Sequence, residues 1–93
     1  MAYHPCYHPD VKKEDLADIP RSIRNRIRKA IEERLLTAPD KYGEPLKRGL
    51  YGYRKLQVGD YRIIYKVEKK NILIFKIGHR KEVYRRVHLR IKR

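Results

Sequence analysis

Carboxylates all but vanish from the second half of this 93-residue chain. Residues 47–93 hold sixteen Lys and Arg but only Asp60, Glu68 and Glu82, a net of +13, whereas residues 1–46 hold nine basic and eight acidic residues, a net of +1. Cysteine is equally scarce. A single Cys6 excludes an internal disulfide and fits a reducing cytosol, so a cytoplasmic location is expected. The N-terminus MAYHPCYHPD has neither a basic n-region nor an apolar h-region, which argues against a signal peptide. No apolar run reaches bilayer length, and YRRVHLRIKR offers only a thin apolar face to a membrane surface, so no membrane partner is expected. Metal ligands are missing as well: His4 and His8 have no Cys or carboxylate cluster at ligand spacing. Cys6 has no His-Asp arrangement around it and reads as a small hydrophobe, not a nucleophile.

What the chain has instead is positive charge, +14 in total, on a length that suits one domain over residues 1–93. A domain of this size buries roughly 60–65% of the surface of its unfolded chain, enough for one modest core. A merely solvated surface would mix the two signs. An asymmetry this steep is the footprint of a polyanion, most simply nucleic acid.

Residues 2–7 alternate weakly and predict a short strand, placed at a sheet edge by Pro5. Pro9 suits a first helical position, and VKKEDLADI predicts a short helix ended by Pro20. Ile23, Ile27, Ala30, Ile31 and Leu35 then recur at helical spacing, which predicts a helix to about Leu36, before Ala38-Pro39. Beyond a Gly- and Pro-containing loop, Tyr53–Val58 and Tyr61–Glu68 read as strands joined by the two-residue turn Gly59-Asp60. Lys69-Lys70-Asn71 turns the chain into Ile72–Ile77, an apolar run expected to be a buried central strand. Val83, Val87 and Ile91 then fall at i, i+4 and i+8 of a last helix. The predicted fold is α+β: a small, mainly antiparallel sheet in the order β-α-α-β-β-β-α, with an N-terminal helical hairpin and a C-terminal helix.

Chemistry concentrates between Tyr53 and Tyr84. Strand alternation puts Arg62, Ile64 and Lys66 on one face and Tyr61, Ile63 and Tyr65 on the other. An arginine in such a strand needs a partner; with so few local acids, an external phosphate gripped bidentately is the expected one. Lys55 shares its face with Tyr53 and Gln57, and Arg54 shares the opposite face with Leu56 and Val58. Lys47 and Arg48 precede the strand and would add general phosphate affinity. His79 and Arg80 follow the apolar strand and Gly78, where polar groups can emerge into a cleft. Tyr84 lies four residues after Arg80, on the same helical face. Neighbouring arginines favour its phenolate and so make general-base work conceivable.

The segments GYRKLQVGDYRIIYKV and ILIFKIGHRKEVYRR, in this order of elements, resemble the RelE/ParE superfamily of type II toxins, and the RelE branch in particular. The likeness spans nearly the whole chain and is most specific in GDYRIIY and IGHRKEVY. It implies a RelE-like toxin that enters the ribosomal A site and cuts the mRNA codon there, inhibiting translation. The implied chemistry uses neither metal nor small-molecule cofactor: a ribose 2′-OH attacks the adjacent phosphate, giving a 2′,3′-cyclic phosphate and a free 5′-OH. By the same resemblance, Tyr84 matches the catalytic tyrosine, as base or substrate-orienting group. Arg80 matches the arginine that binds phosphate and protonates the leaving group, with His79 the competing general acid. Arg62 matches the arginine that holds the scissile phosphate, and Lys55 one of two strand lysines. The second lysine falls at Tyr53, so the lysine pair is not reproduced; Arg54 replaces it only if a local bulge turns it to the same face. Lys66, Lys81 and Arg85 join Arg54, Lys47 and Arg48 as cations expected along the RNA phosphates. The implied partners are the ribosome, mRNA and a cognate antitoxin. Two other readings remain: a ParE-like gyrase poison on the same fold, and a non-enzymatic, degenerate nucleic-acid-binding module.

Overall fold

The computed structural model describes residues 2–47 and 50–92. Strand β1 (His4–Tyr7) leads into α1, a helical segment through Val11–Asp15 and Leu16–Asp18, and α2 runs through Arg21–Ala30 and on through Ile31–Leu35. A short α3 (Pro39–Tyr42) and β2 (Glu44–Pro45) precede the long strands β3 (Tyr53–Val58), β4 (Tyr61–Glu68) and β5 (Asn71–His79), and α4 (Val83–Lys92) follows them. The predicted α+β order therefore stands, with α3 and β2 added where a loop was expected. Pro39 starts α3, and Glu44 and Pro45 pair with Lys55 and Arg54.

The sheet has five strands in the order β1-β5-β4-β3-β2. Every pairing is antiparallel except β1 with β5, which runs parallel in the register His4↔Asn71 to Tyr7↔Ile74. Strand β1 lies at the edge, as Pro5 required. Cys6 departs from expectation. It is exposed on that edge, with Sγ 4.0 Å from Asn71 Oδ1, because the outermost strand has no layer above it at that point.

Helical periodicity in α2 becomes the main core. Ile27, Ala30, Ile31 and Leu35 pack on Leu56, Val58, Ile63, Tyr65, Ile72, Ile74 and Ile77 from one face of the sheet. On the other face Val83 and Val87 of α4 pack on Ile64 and Leu50. Gly59, at φ 60°, makes the predicted β3–β4 turn; Lys69, at φ 56°, makes the β4–β5 turn without a glycine. The left-handed conformation costs a side-chain-bearing residue roughly 1–2 kcal/mol, partly offset in glycine by greater freedom when unfolded. Lys69→Gly is thus expected to stabilise the fold by about 0.5–1 kcal/mol, read as a higher urea midpoint at unchanged slope.

A bulge reshapes β5. Tyr65 faces Ile74 while Ile64 faces Lys76, which leaves Phe75 as an extra residue. The parity of β5 flips there, so Ile72, Ile74 and Ile77 all reach the same core. The flip also turns Lys76, buried at 7% exposure, off the main-core face and onto the face of Ile64, within the run expected to be uniformly apolar. Strand β1 pairs only as far as Ile74, and beyond it the side chains of a buried ionic cluster take over the backbone groups. Asp15 accepts from Ile77 N–H at 2.8 Å, Lys76 Nζ at 2.8 Å, Arg90 Nη1 at 2.7 Å and Arg90 Nη2 at 3.1 Å. Arg90 Nη1 also donates to the carbonyl of the bulged Phe75 at 2.9 Å. This cluster ties α1, β5 and α4 together.

Candidate functional site

The face of the sheet turned away from α2 carries Tyr53, Lys55 and Gln57 of β3 beside Lys66, Ile64 and Arg62 of β4, in the pairs Tyr53↔Lys66, Lys55↔Ile64 and Gln57↔Arg62. Helix α4 covers only part of this face. It packs against Gly78, opposite Arg62, where a Cβ would meet Val83 at 3.4 Å, an ordinary contact. Beside α4 opens a cavity of about 300 Å³ lined by Tyr42, Glu44, Lys55, Gln57, Arg62, Arg80 and Tyr84. Lys55, Arg62, Arg80 and Tyr84, chosen from the sequence, thus meet in one place.

Local contacts hold each of them. Arg62 Nη1 donates to Gly59 O at 3.0 Å and to Tyr61 O at 2.9 Å, so the turn aims its guanidinium. Lys55 Nζ stands 5.5 Å from the centre of the Tyr84 ring and 3.9 Å from Glu44 Oε2. Arg80 donates its N–H to Asp60 O at 2.8 Å, and its exposed Nε lies 3.8 Å from Asp60 Oδ1. The lining has three cations against one carboxylate.

Other predicted residues go elsewhere. His79 pairs with Tyr61, stacks edge-on against it at 5.7 Å, and accepts the Lys81 N–H on Nδ1 at 3.2 Å. It lines a different groove, between α1 and α4, and not the cavity of Arg62. The Phe75 bulge is the reason: regular alternation from Ile74 would have put His79 on the cavity side. Arg54 likewise stays on the opposite face, since β3 and β4 pair without a bulge at that position. Its Nη2 donates to Gly43 O at 2.6 Å and to Asp40 O at 3.0 Å. The condition under which Arg54 would replace the missing lysine is therefore not met. Lys66 shares the cavity's face but sits further along it, 5.4 Å from the Tyr53 ring centre and 3.6 Å from Glu68. Lys47, Lys81 and Arg85 are exposed and outside the cavity lining, and Arg48 lies outside the described residues.

Tyr42, Glu44 and Gln57 line the cavity without having been singled out from the sequence. Gln57 was legible from its face-sharing with Lys55. Glu44 and Tyr42 were not, because they arrive on α3 and β2, in a segment that reads as a loop. Among the described residues no group of three His, Cys, Asp or Glu side chains is placed to hold a metal ion. No helix in this set is long and apolar enough to cross a membrane.

Comparison with known proteins identifies the family. A family model described as "ParE toxin of type II toxin-antitoxin system, parDE" matches residues 7–84. The chain is therefore a toxin of a type II toxin–antitoxin system, and belongs to this family within the RelE/ParE superfamily. Toxin RelG of Mycobacterium tuberculosis is 29% identical over 76 residues, 80% of this chain and 87% of RelG. A chain of the RelB–RelE antitoxin–toxin complex from Methanococcus jannaschii superposes with a TM-score of 0.66 at 29% identity, over 86% of this chain and 95% of the other. A mutant of E. coli toxin RelE in the free state has a TM-score of 0.76 at 21% identity, over 97% and 94% of the two chains, and shares the fold.

Proposed function

We propose that this toxin is a ribosome-dependent mRNA endonuclease that cuts A-site codons in the cytoplasm without a metal, through the single RelE-like domain of residues 1–93. The observation that carries this reading is the meeting of Lys55, Arg62, Arg80 and Tyr84 in one open cavity. In the proposed reaction the 2′-oxygen bonds to phosphorus as the P–O5′ bond breaks. Arg62 and Lys55 stabilise the charge that grows on the non-bridging oxygens. Arg80, at the exposed rim, sits at the departing 5′-oxygen and supplies its proton. Two groups in the cavity can take the proton of the 2′-OH. Tyr84 is one; Glu44 is the other, favoured by its place opposite Lys55, with Oε2 3.9 Å from the lysine Nζ.

Loss of a general base costs about 10²–10⁴-fold. Single-turnover cleavage on programmed ribosomes, followed by mapping of 5′ ends, should show a loss of that size for Tyr84→Phe or for Glu44→Gln. The variant with the larger loss identifies the base, and full activity in both would remove the assignment. Ribosome affinity is expected to fall steeply between about 50 and 200 mM salt, since many phosphates are neutralised together. A salt-insensitive affinity would contradict the electrostatic argument.

The matching family model is the ParE one, which favours a second reading, a gyrase poison. Induced expression separates the two: translation arrest with cuts inside codons supports the first, gyrase-dependent DNA breaks support the second, and growth without either points to a non-enzymatic module. Relatives solved as RelB–RelE and RelBE2 toxin–antitoxin complexes support a cognate antitoxin as partner here too. Its acidic residues would offset part of the +14 charge.

A further inference from the structure

One wall of the cavity takes no part in the phosphate chemistry. Among the described residues, Tyr42, Tyr51 and Leu89 are the exposed large hydrophobic side chains, and Tyr42, 44% exposed, is the one that lines this cavity. A half-open phenol ring contributes little to the core. It is, however, the surface on which a nucleobase stacks beside a bound phosphate.

The backbone around Tyr42 is pinned from the far side of the sheet. Arg54 holds the carbonyls of Asp40 and Gly43, which bracket Tyr42, and the Tyr65 hydroxyl donates to Pro39 O at 2.8 Å. Burial pushes the Tyr65 phenol above its ordinary pKa, so it stays protonated and keeps donating. Gly43 lies directly on that hydroxyl, and a Cβ there would overlap it. Pairing of Glu44 with Lys55 fixes the next residue along. Three hydrogen bonds, one buried, one half-buried and one exposed, thus hold the turn that presents one exposed aromatic ring to a cationic cavity. A backbone held this way loses little freedom on binding. Lys41 Nζ, 5.6 Å from the ring centre, adds a cation beside it.

We propose that Tyr42 is a stacking platform for a nucleobase next to the phosphate held by Arg62 and Lys55, so that the site grips its RNA by base as well as by phosphate. Arg54 acts here as a positioning residue. The proposal rests on the reading that the cavity binds RNA, and it adds a contact that reads base size: an aromatic face favours purines, which overlap it more fully, over pyrimidines.

The test uses ribosomes programmed with mRNA made uncleavable by a 2′-deoxy substitution in the A-site codon, with each codon position in turn left intact or made abasic. Toxin affinity is measured for wild type, Tyr42→Ala, Tyr42→Phe and Arg62→Ala. Tyr42→Ala is expected to weaken binding to the intact codon about 5- to 150-fold. That loss should vanish when one particular base is removed, and Tyr42→Phe should bind like wild type. An equal loss on every template, or none on the intact codon, overturns the stacking role. Arg62→Ala should weaken binding on all templates, abasic ones included. If it binds like wild type throughout, the RNA reading of the cavity fails, an outcome distinct from failure at Tyr42.

Discussion

Arg62→Ala is expected to lower single-turnover cleavage on programmed ribosomes by about 10²–10³-fold, the loss typical of removing one fixed donor to a developing anion. The size follows from how the side chain is held. Its Nη1 is bonded to two carbonyls of its own turn, so its position is set before substrate arrives. Arg62→Lys keeps the charge but loses the fork geometry, and should fall between wild type and alanine. Because those carbonyls face solvent in the variant, the fold should survive, and thermal unfolding within a few degrees of wild type checks this. Cleavage by Arg62→Ala within threefold of wild type would remove Arg62 from the reaction.

The largest effect on stability is expected at Asp15. Its carboxylate is the shared acceptor for Lys76 and Arg90, which are 7% and 6% exposed. Asp15→Ala would leave these cations buried with their principal counter-charge gone, a loss of about 3–5 kcal/mol. Against the 5–15 kcal/mol typical of a whole domain, that leaves the variant near its unfolding threshold. Urea titration reads the loss directly. Replacing the three side chains together with apolar ones, Asp15→Leu with Lys76→Met and Arg90→Met, should recover part of it, because no buried charge remains. Recovery should be incomplete, since Ile77 N–H and Phe75 O would still lose their partners. A single-variant loss under 1 kcal/mol would show that the cluster contributes little.

Much of this architecture was legible in the sequence, and the limits have physical causes. Period-two alternation in β3 and β4 correctly put Lys55, Gln57 and Arg62 on one face and Arg54 on the other, because that pairing is regular. Helical spacing found α2 and α4, since each buries a single apolar stripe. Strand β5 defeated the same rule. One extra residue at Phe75 reversed its parity, which turned Lys76 off the main-core face and carried His79 away from Arg62. Nothing in ILIF ahead of the bulge marks it, because both faces of the strand are apolar there. Asp15 was equally hidden: it looks like one more acid on a charged helix, and its partners lie 61 and 75 residues away. Tyr42 and Glu44 were missed because what positions them is backbone carbonyls bonded to Arg54 and Tyr65, and carbonyls leave no trace in composition.

The parallel pairing of β1 with β5 has a consequence for how the molecule comes into being. Synthesis makes His4–Tyr7 first, yet their pairing partners are residues 71–74, and Asp15 is not fully paired until Arg90 exists. A nascent chain ending before residue 71 has no strand to receive β1. One ending before Tyr84 lacks that wall of the cavity. Contacts this distant in sequence close late and slowly. A chain that stops before Tyr84 therefore lacks the assembled cavity, which is complete only when synthesis is nearly done.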